Sequence, residues 1–69
     1  MEVYFLDAVY KTAIDLGPFG KSGMDVSPMD IPLKGDVIGD EYGNLWEVVA
    51  RQHYWTGLTH NMALHLKRM

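Results

Sequence analysis

The feature that most constrains the fold is the alternation of residue types over residues 45–55, LWEVVARQHYW, the strongest strand pattern in the chain. One face of this segment carries Trp46, Val48, Ala50 and Tyr54, and the other carries Leu45, Glu47, Val49, Arg51, His53 and Trp55. A period of two predicts a half-buried β-strand, so we expect the first face in the core and the second in solvent. Because the segment is long for one strand, we also expect a bend or bulge near residues 51–53.

Shorter strand patterns flank this segment on both sides. Residues 2–10 mix β-branched and aromatic residues, and residues 37–38 follow a tight turn. In residues 62–67, large apolar residues at 62, 64 and 66 alternate with Ala63, His65 and Lys67. Turns are predicted at residues 40–44 and around Gly57. The expected core residues are Tyr4, Leu6, Trp46, Val48, Leu64 and Leu66. The sum predicts one small, mainly β domain over residues 1–69, an antiparallel barrel or curled sheet of roughly four to six short strands.

Residues 15–32 form a long loop rich in glycine and proline, which is unusual in a compact domain. The sequence GKS at residues 20–22 matches the end of the phosphate-binding motif G-x-x-x-x-G-K-[ST]. Only two residues separate Gly17 from Gly20, however, where the motif requires four. The residues that follow GKS break helices, so no helix N-terminus is expected to face a phosphate there. We therefore interpret the segment as a surface loop, in which Phe19 and Met24 are available to contact a protein partner.

Composition narrows the class of protein. The 69 residues form one domain at most, and an apolar fraction of 48% suits a folded chain. The absence of cysteine excludes disulfides and thiolate metal sites and favours a reducing, cytoplasmic setting. No apolar run approaches about 20 residues, so no membrane span is expected. The net charge is −3, and no acidic residue follows Glu47; the overall balance disfavours general nucleic-acid binding.

Part of the chain resembles the small SH3-like β-barrels. The resemblance rests on Pro32, Gly35, Asp36, Gly43 and the strand LWEVVARQHYW, which follow the order P-x-x-G-D, short strand, turn and aromatic strand. It covers roughly residues 31–66, and such barrels recur among short proteins of phages and mobile elements. The resemblance implies an SH3-like architecture and a binding role, because family members bind peptides, proteins or nucleic acid.

No residue pattern predicts catalysis, so we expect a protein that is not an enzyme and has no cofactor. The serines and threonines lie in no recognised nucleophile motif, and a chain of this size hardly forms an enclosed site. His53, His60 and His65 fit no compact metal-ligand spacing, although His53 and His65 could meet across neighbouring strands to bind zinc. Neither catalytic nor metal-binding residues are therefore predicted.

Acidic residues dominate the middle of the chain and indicate a protein partner. If the turn before residue 37 and the hairpin at residues 40–44 share one side, they form an acidic ridge that complements a basic partner. An exposed Trp55 beside Arg51 would add a contact anchor. The predicted partner-binding residues are Phe19, Asp36, Asp40, Glu41, Tyr42, Glu47, Arg51, His53 and Trp55.

Three functions stay open, in order of preference. The first is a non-catalytic protein-binding module, in a phage-type setting an anti-defence or host-takeover inhibitor that docks on a host protein. The second is a nucleic-acid-binding barrel that uses Trp55 and Arg51 together with Lys67 and Arg68. The third is a structural component that forms homo-oligomers through its edge strands. Strand parity places Trp55 in solvent, whereas a bulge would turn it toward the end of the barrel.

Overall fold

The structure, a computed structural model, describes residues 1–18 and 20–69 and has a mainly β fold. Its strands are β1 (Glu2–Asp7), β2 (Met24–Asp25), β3 (Val37–Gly39), β4 (Leu45–Thr56) and β5 (Thr59–Arg68), with one turn of 3-10 helix at Pro28–Asp30. The five strands form one sheet in the order β2-β1-β5-β4-β3, curled into a half-barrel. β1 runs parallel to β5, and the other neighbouring pairs are antiparallel. The predicted mainly β fold, a small curled sheet, is confirmed. The sheet is not purely antiparallel as predicted, because β1 pairs with β5 in parallel.

The β4–β5 hairpin is the longest element of the sheet, and its turn is set by one glycine. Only Gly57 and Leu58 separate the strands, and Thr56 pairs with Thr59. Gly57 has a φ of 60°, the positive value that the first central residue of a type II′ turn requires. The register shifts between Val48 and Ala50, which is a β-bulge. The bulge therefore lies earlier in β4 than the sequence predicts.

The inner face of β1 differs from the prediction. Val3 and Phe5 are buried, whereas Tyr4 and Leu6 are only half-buried on the outer face of the sheet. The parallel register with β5 explains this, because Val3 lies beside Met62 and Phe5 beside a buried leucine. Both faces of β1 carry large apolar residues, so the period of two alone did not determine which face is buried. The expectation that Tyr4 and Leu6 lie in the core is wrong.

The core fills the concave face of the half-barrel and is closed by the long loop. The buried apolar residues are Val3, Phe5, Leu16, Ile31, Trp46, Val48, Met62, Leu64 and Leu66. Leu16 and Ile31 come from the two ends of the predicted 15–32 loop, and β2 lies within it. Burying these side chains ties the loop to the sheet, because each removes a large apolar area from water.

The outer edge of β1 is covered by the same loop, which uses a serine hydroxyl where a strand would use a carbonyl. Gly23 donates its N–H to the carbonyl of Val3, and Ile14 donates to that of Phe5. Between them, the N–H of Phe5 donates to Oγ of Ser22 at 2.9 Å. Ser22, the last residue of GKS, therefore completes the edge of β1.

Within the described ranges, the structure contains no helix long and apolar enough to span a membrane.

Candidate functional site

The bulge in β4 decides which side chains reach the concave face beyond the core. Before the bulge, Val48 pairs with Leu66; after it, Arg51 pairs with Leu64, His53 with Met62 and Trp55 with His60. Residues directly opposite each other in an antiparallel pair share a face of the sheet. Because Leu64 and Met62 are core residues, Arg51, His53 and Trp55 continue the core side of β4. The assignment of Arg51 and His53 to the face opposite Trp46 and Val48 is therefore wrong. For Trp55 the sequence left both faces open, and the bulge puts it on the core side.

Three aromatic rings are in contact at the hairpin end of this face. The Trp55 and His60 rings are nearly parallel, with centroids 4.5 Å apart and an interplanar angle of 10°. His60 meets His53 edge to edge, with ring centroids 5.0 Å apart and Nδ1 of His53 at 2.8 Å, hydrogen-bond distance, from Nε2 of His60. Trp55 nevertheless remains 66% exposed. We call Arg51, His53, Trp55 and His60 the hairpin-end cluster.

The same part of β4 has an unpaired backbone edge. Val48 still pairs outward, because its N–H donates to the carbonyl of Asp36 and its carbonyl accepts from Gly35. In a two-residue hairpin, Thr56 and every second residue before it direct their backbone groups toward β5. Arg51, His53 and Trp55 therefore direct theirs away from β5, and no described residue donates to or accepts from them there. We call these outward N–H and C=O groups the β4 free edge.

Arg51 is the cluster residue nearest the middle of β4, and it lies opposite the core residue Leu64. Its side chain is half-buried, and its Nε atom is buried with no hydrogen-bond partner among the described residues. Arg51 lines an open hollow of about 610 Å³ together with residues 28–33. A buried donor without a partner is unusual, because buried polar groups are normally hydrogen-bonded.

Asp40 precedes β4, at the end of that strand opposite Trp55, and its carboxylate is hydrogen-bonded within its own loop. The Trp46 indole N–H donates to Oδ2 at 3.0 Å, and backbone and side-chain N–H groups of Asn44 and the backbone N–H of Tyr42 also donate to the carboxylate. These bonds, the one from Trp46 above all, outweigh partial burial and lower the pKa of Asp40 to about 2. The carboxylate therefore acts as a structural acceptor for the 40–44 loop.

The other predicted acidic residues also have local roles. Asp36 accepts from the N–H of Leu33 at 2.7 Å, which closes the turn before β3. Glu47 lies opposite Lys67, an opposite-charge pair across the strands. Glu41 lies against Gly17, where an added Cβ would meet its side chain at 2.7 Å. The acidic residues thus spread over turns and faces, at the opposite end of β4 from Trp55.

Two predicted contact residues remain to be placed. Tyr42 is 65% exposed at the tip of the 40–44 loop, and its exposure matches that of Trp55 at the other end of β4. Phe19 lies outside the described residues. The structure thus brings together Arg51, His53 and Trp55 from the predicted set and separates them from Tyr42.

The basic residues of the nucleic-acid alternative do not converge on Trp55. Arg68 lies opposite Trp46, and its guanidinium donates to Oδ1 of Asn44 in the 40–44 loop. Lys67 lies on the other face, opposite Glu47. Because Trp55 and Arg51 are near the other end of the hairpin, the structure forms no single basic groove from these four residues.

The histidine that completes the cluster was missed as a site residue. The sequence pairing considered was His53 with His65, but His65 lies on the outer face and is hydrogen-bonded to Gln52 at 2.9 Å. His60 is the actual neighbour of His53. A two-residue turn at Gly57 places His60 directly opposite Trp55, so the hairpin register, counted from the turn, could have identified it.

The chemistry available at the hairpin end is aromatic stacking and hydrogen bonding. A separate cleft of about 350 Å³, lined mainly by apolar residues, lies under the long loop, with Asp30 and Glu41 at its lining. No group of three or more potential metal ligands occurs among residues 1–18 and 20–69.

Comparison with protein-family models, curated proteins and solved structures found no match to this chain.

Proposed function

We propose that the protein is a protein-binding module that docks through the hairpin-end cluster and the β4 free edge. One observation carries the proposal: Arg51, His53 and Trp55 supply both the side-chain anchors and the unpaired backbone. A partner segment added as a sixth strand would pair with this backbone and place alternate side chains beside Trp55 and His53. Strand addition gives affinity through the main chain, and the side chains beside it give specificity.

Residue type supports the same surface. Trp and Arg are the residues most enriched among interface hot spots, and a tryptophan that remains 66% exposed is free to bury area against a partner. Residues 50–56 contain no lysine, proline or acidic residue, the types that usually protect an edge strand from pairing. This stretch of β4 is therefore suited to accept a strand.

Charge indicates the kind of segment that fits. The chain has no acidic residue after Glu47, so the hairpin end carries Arg51 and imidazoles without nearby acids of its own strands. An extended, neutral or acidic segment complements this surface better than a basic one. A host-protein inhibitor of the phage type is one special case of this proposal, in which the segment belongs to a host protein.

The test is capture of partners from host lysate by tagged protein, with and without nuclease, using paired variants. Trp55→Ala removes the anchor, and Tyr42→Ala is its control because the two aromatics are almost equally exposed at opposite ends of β4. Loss of a hot-spot residue costs at least about 2 kcal/mol, or roughly thirtyfold in affinity. We expect Trp55→Ala, but not Tyr42→Ala, to lose the captured protein.

A proline variant tests strand addition separately from the side chain. His53→Pro removes an N–H that points away from β5, so the hairpin keeps its ladder, and His53→Ala is the matched control. We expect His53→Pro to weaken binding more than His53→Ala does. Equal binding by Trp55→Ala and wild type would refute the proposed surface. Complete loss of bound material after nuclease would favour the nucleic-acid alternative, and a homo-oligomer that depends on Trp55 would identify a second copy as the partner.

A further inference from the structure

We propose that the apolar cleft under the long loop is a binding site for a small protonated amine with an apolar body. The cleft has a volume of about 350 Å³ and a mainly apolar lining, and small-molecule sites measure about 300–1,000 Å³. None of the residues of the hairpin-end cluster lines this cleft. The site therefore stands independently of the proposed protein-binding function. We call it the loop cleft.

The loop cleft exists because the curled sheet does not close into a barrel. Strands β2 and β3 are the two edges of the sheet and do not pair with each other. Met24 of β2 and Ile38 of β3 both line the cleft, and the core residues Val3 and Phe5 line it from β1. Close-packed interiors leave few voids larger than a water molecule, so a space of this size beside the core exceeds an ordinary packing defect.

The lining selects an apolar ligand body about the size of one aromatic ring with a short arm. An apolar cavity of about 150 Å³ can already hold benzene, and the loop cleft is more than twice as large. Contact with Val3, Phe5 and Ile38 removes apolar ligand surface from water, which favours binding. Because the cleft is open on one side, the polar end of the ligand can stay in contact with water.

Two carboxylates in the lining, those of Asp30 and Glu41, select a cationic ligand. Other carboxylates are bonded within the chain, as Asp36 is to the N–H of Leu33. Among the described residues, no hydrogen bond or ion pair reaches the carboxylate of Asp30 or Glu41, and no lysine or arginine lines the cleft. A cation brought by a ligand therefore meets complementary charge without displacing an internal partner.

The position of Glu41 at the cleft is fixed by contacts with the long loop. Its backbone N–H donates to the carbonyl of Leu16 at 3.1 Å, which ties the 40–44 loop to the long loop. Its side chain lies against Gly17, where an added Cβ would meet Cγ and Cδ at 2.7 Å. Gly17 itself lines the cleft. These contacts reduce the freedom that the carboxylate has to lose when a ligand binds.

The test is an NMR titration with three compounds that carry the same ring on a short arm: 2-phenylethylamine, 2-phenylethanol and 3-phenylpropanoate. We expect saturable shifts of the methyl signals of Val3, Val26 and Ile38, which line the cleft, and no shift for Leu58 at the exposed turn. The amine should bind about two- to fivefold more tightly than the alcohol, the factor expected for an exposed ion pair. The anion should bind most weakly.

Variants separate the charge of the site from its shape. Asp30→Asn and Glu41→Gln should each weaken binding of the amine by about two- to fivefold and leave binding of the alcohol unchanged. Glu47→Gln is the matched control, because it removes the same charge but lies opposite Lys67, outside the cleft lining. Ile38→Phe places a larger side chain in the lining and should weaken binding of both compounds.

The outcomes that would overturn the proposal are distinct for each part of it. Equal affinity for the amine and the anion, or unchanged amine affinity in both Asp30→Asn and Glu41→Gln, would overturn the cationic ligand. Full affinity in Ile38→Phe, or no saturable shift of the cleft methyl signals with any of the three compounds, would overturn the site. Thermal melts of each variant confirm that the chain is folded in every titration.

Discussion

Replacement of Ser22 by alanine tests whether GKS has a structural role. The hydroxyl of Ser22 accepts from the N–H of Phe5 at 2.9 Å and donates to the carbonyl of Phe5, also at 2.9 Å. Alanine keeps the Cβ but removes both bonds. The N–H of Phe5 then faces a gap in the loop that covers β1, between Ile14 and Gly23, where no backbone carbonyl replaces the hydroxyl.

The expected cost follows from the burial of that N–H. Leaving a buried donor unpaired costs about 1–3 kcal/mol, and because this bond is only part-buried we expect the lower half, about 1–2 kcal/mol. For a domain of 69 residues this corresponds to a fall in Tm of roughly 4–16 °C. Differential scanning calorimetry measures the Tm, and urea unfolding gives the free energy. Ser22→Thr, which retains a hydroxyl, should recover most of the stability.

Two controls separate this structural role from phosphate binding. Lys21→Ala changes an exposed neighbour and should alter stability by less than about 0.5 kcal/mol. Millimolar phosphate or ATP should leave the Tm unchanged, because a ligand that binds the native state would raise it. A Ser22→Ala variant as stable as wild type would refute the structural reasoning. A rise in Tm with phosphate that Lys21→Ala abolishes would restore the phosphate-loop interpretation.

Three further predictions concern the core and two carboxylates. Leu64→Ala should lower the free energy of unfolding in urea by about 2–5 kcal/mol, because Leu64 is fully buried, whereas Leu58→Ala at the exposed turn should change it by less than about 0.5 kcal/mol. The pKa of Asp40 is lowered to about 2 from 3.8, so its contribution to stability is present above about pH 4 and is lost as the pH falls toward 2. In Asp40→Asn, the free energy of unfolding should therefore depend less on pH between about 4 and 2. The hydrogen bond and charge of Glu2 raise the pKa of Tyr4, so Glu2→Gln should lower that pKa in an ultraviolet titration of the phenol, and an unchanged titration would contradict the contact.

The sequence predicted those parts of the fold that depend on local patterns. The alternation of β4 and the glycine at position 57 were enough to predict the hairpin, because a strand period and a turn residue act within a few positions. The inner face of β1 was not predictable in the same way. Val3 and Phe5 compete with Tyr4 and Leu6 for the core, and the choice depends on the parallel register with β5, a contact between distant parts of the chain.

The candidate site depended on a single unpaired residue in β4. Valine is not a residue type that marks a bulge. The register shift beside Val49 nevertheless puts Arg51, His53 and Trp55 on the core side of β4. The sequence predicted these three as partner-binding residues, assigned Arg51 and His53 to the wrong face and left the face of Trp55 open. It grouped them with acidic residues such as Asp40, because charge in a sequence does not reveal which carboxylates bond to their own loop.

The two ends of β4 differ in how far the protein satisfies its own polar groups. At the acidic end, a partner would have to compete with Trp46 and Asn44 for the carboxylate of Asp40. At the hairpin end, the backbone of Arg51 and His53 has no partner among the described residues, so a new strand forms hydrogen bonds without breaking internal ones. At both ends, a partner replaces hydrogen bonds between the protein and water. Only at the acidic end must internal hydrogen bonds also break, so binding at the hairpin end is more favourable in free energy. This difference, rather than the density of charge, is why we propose the hairpin end as the binding surface.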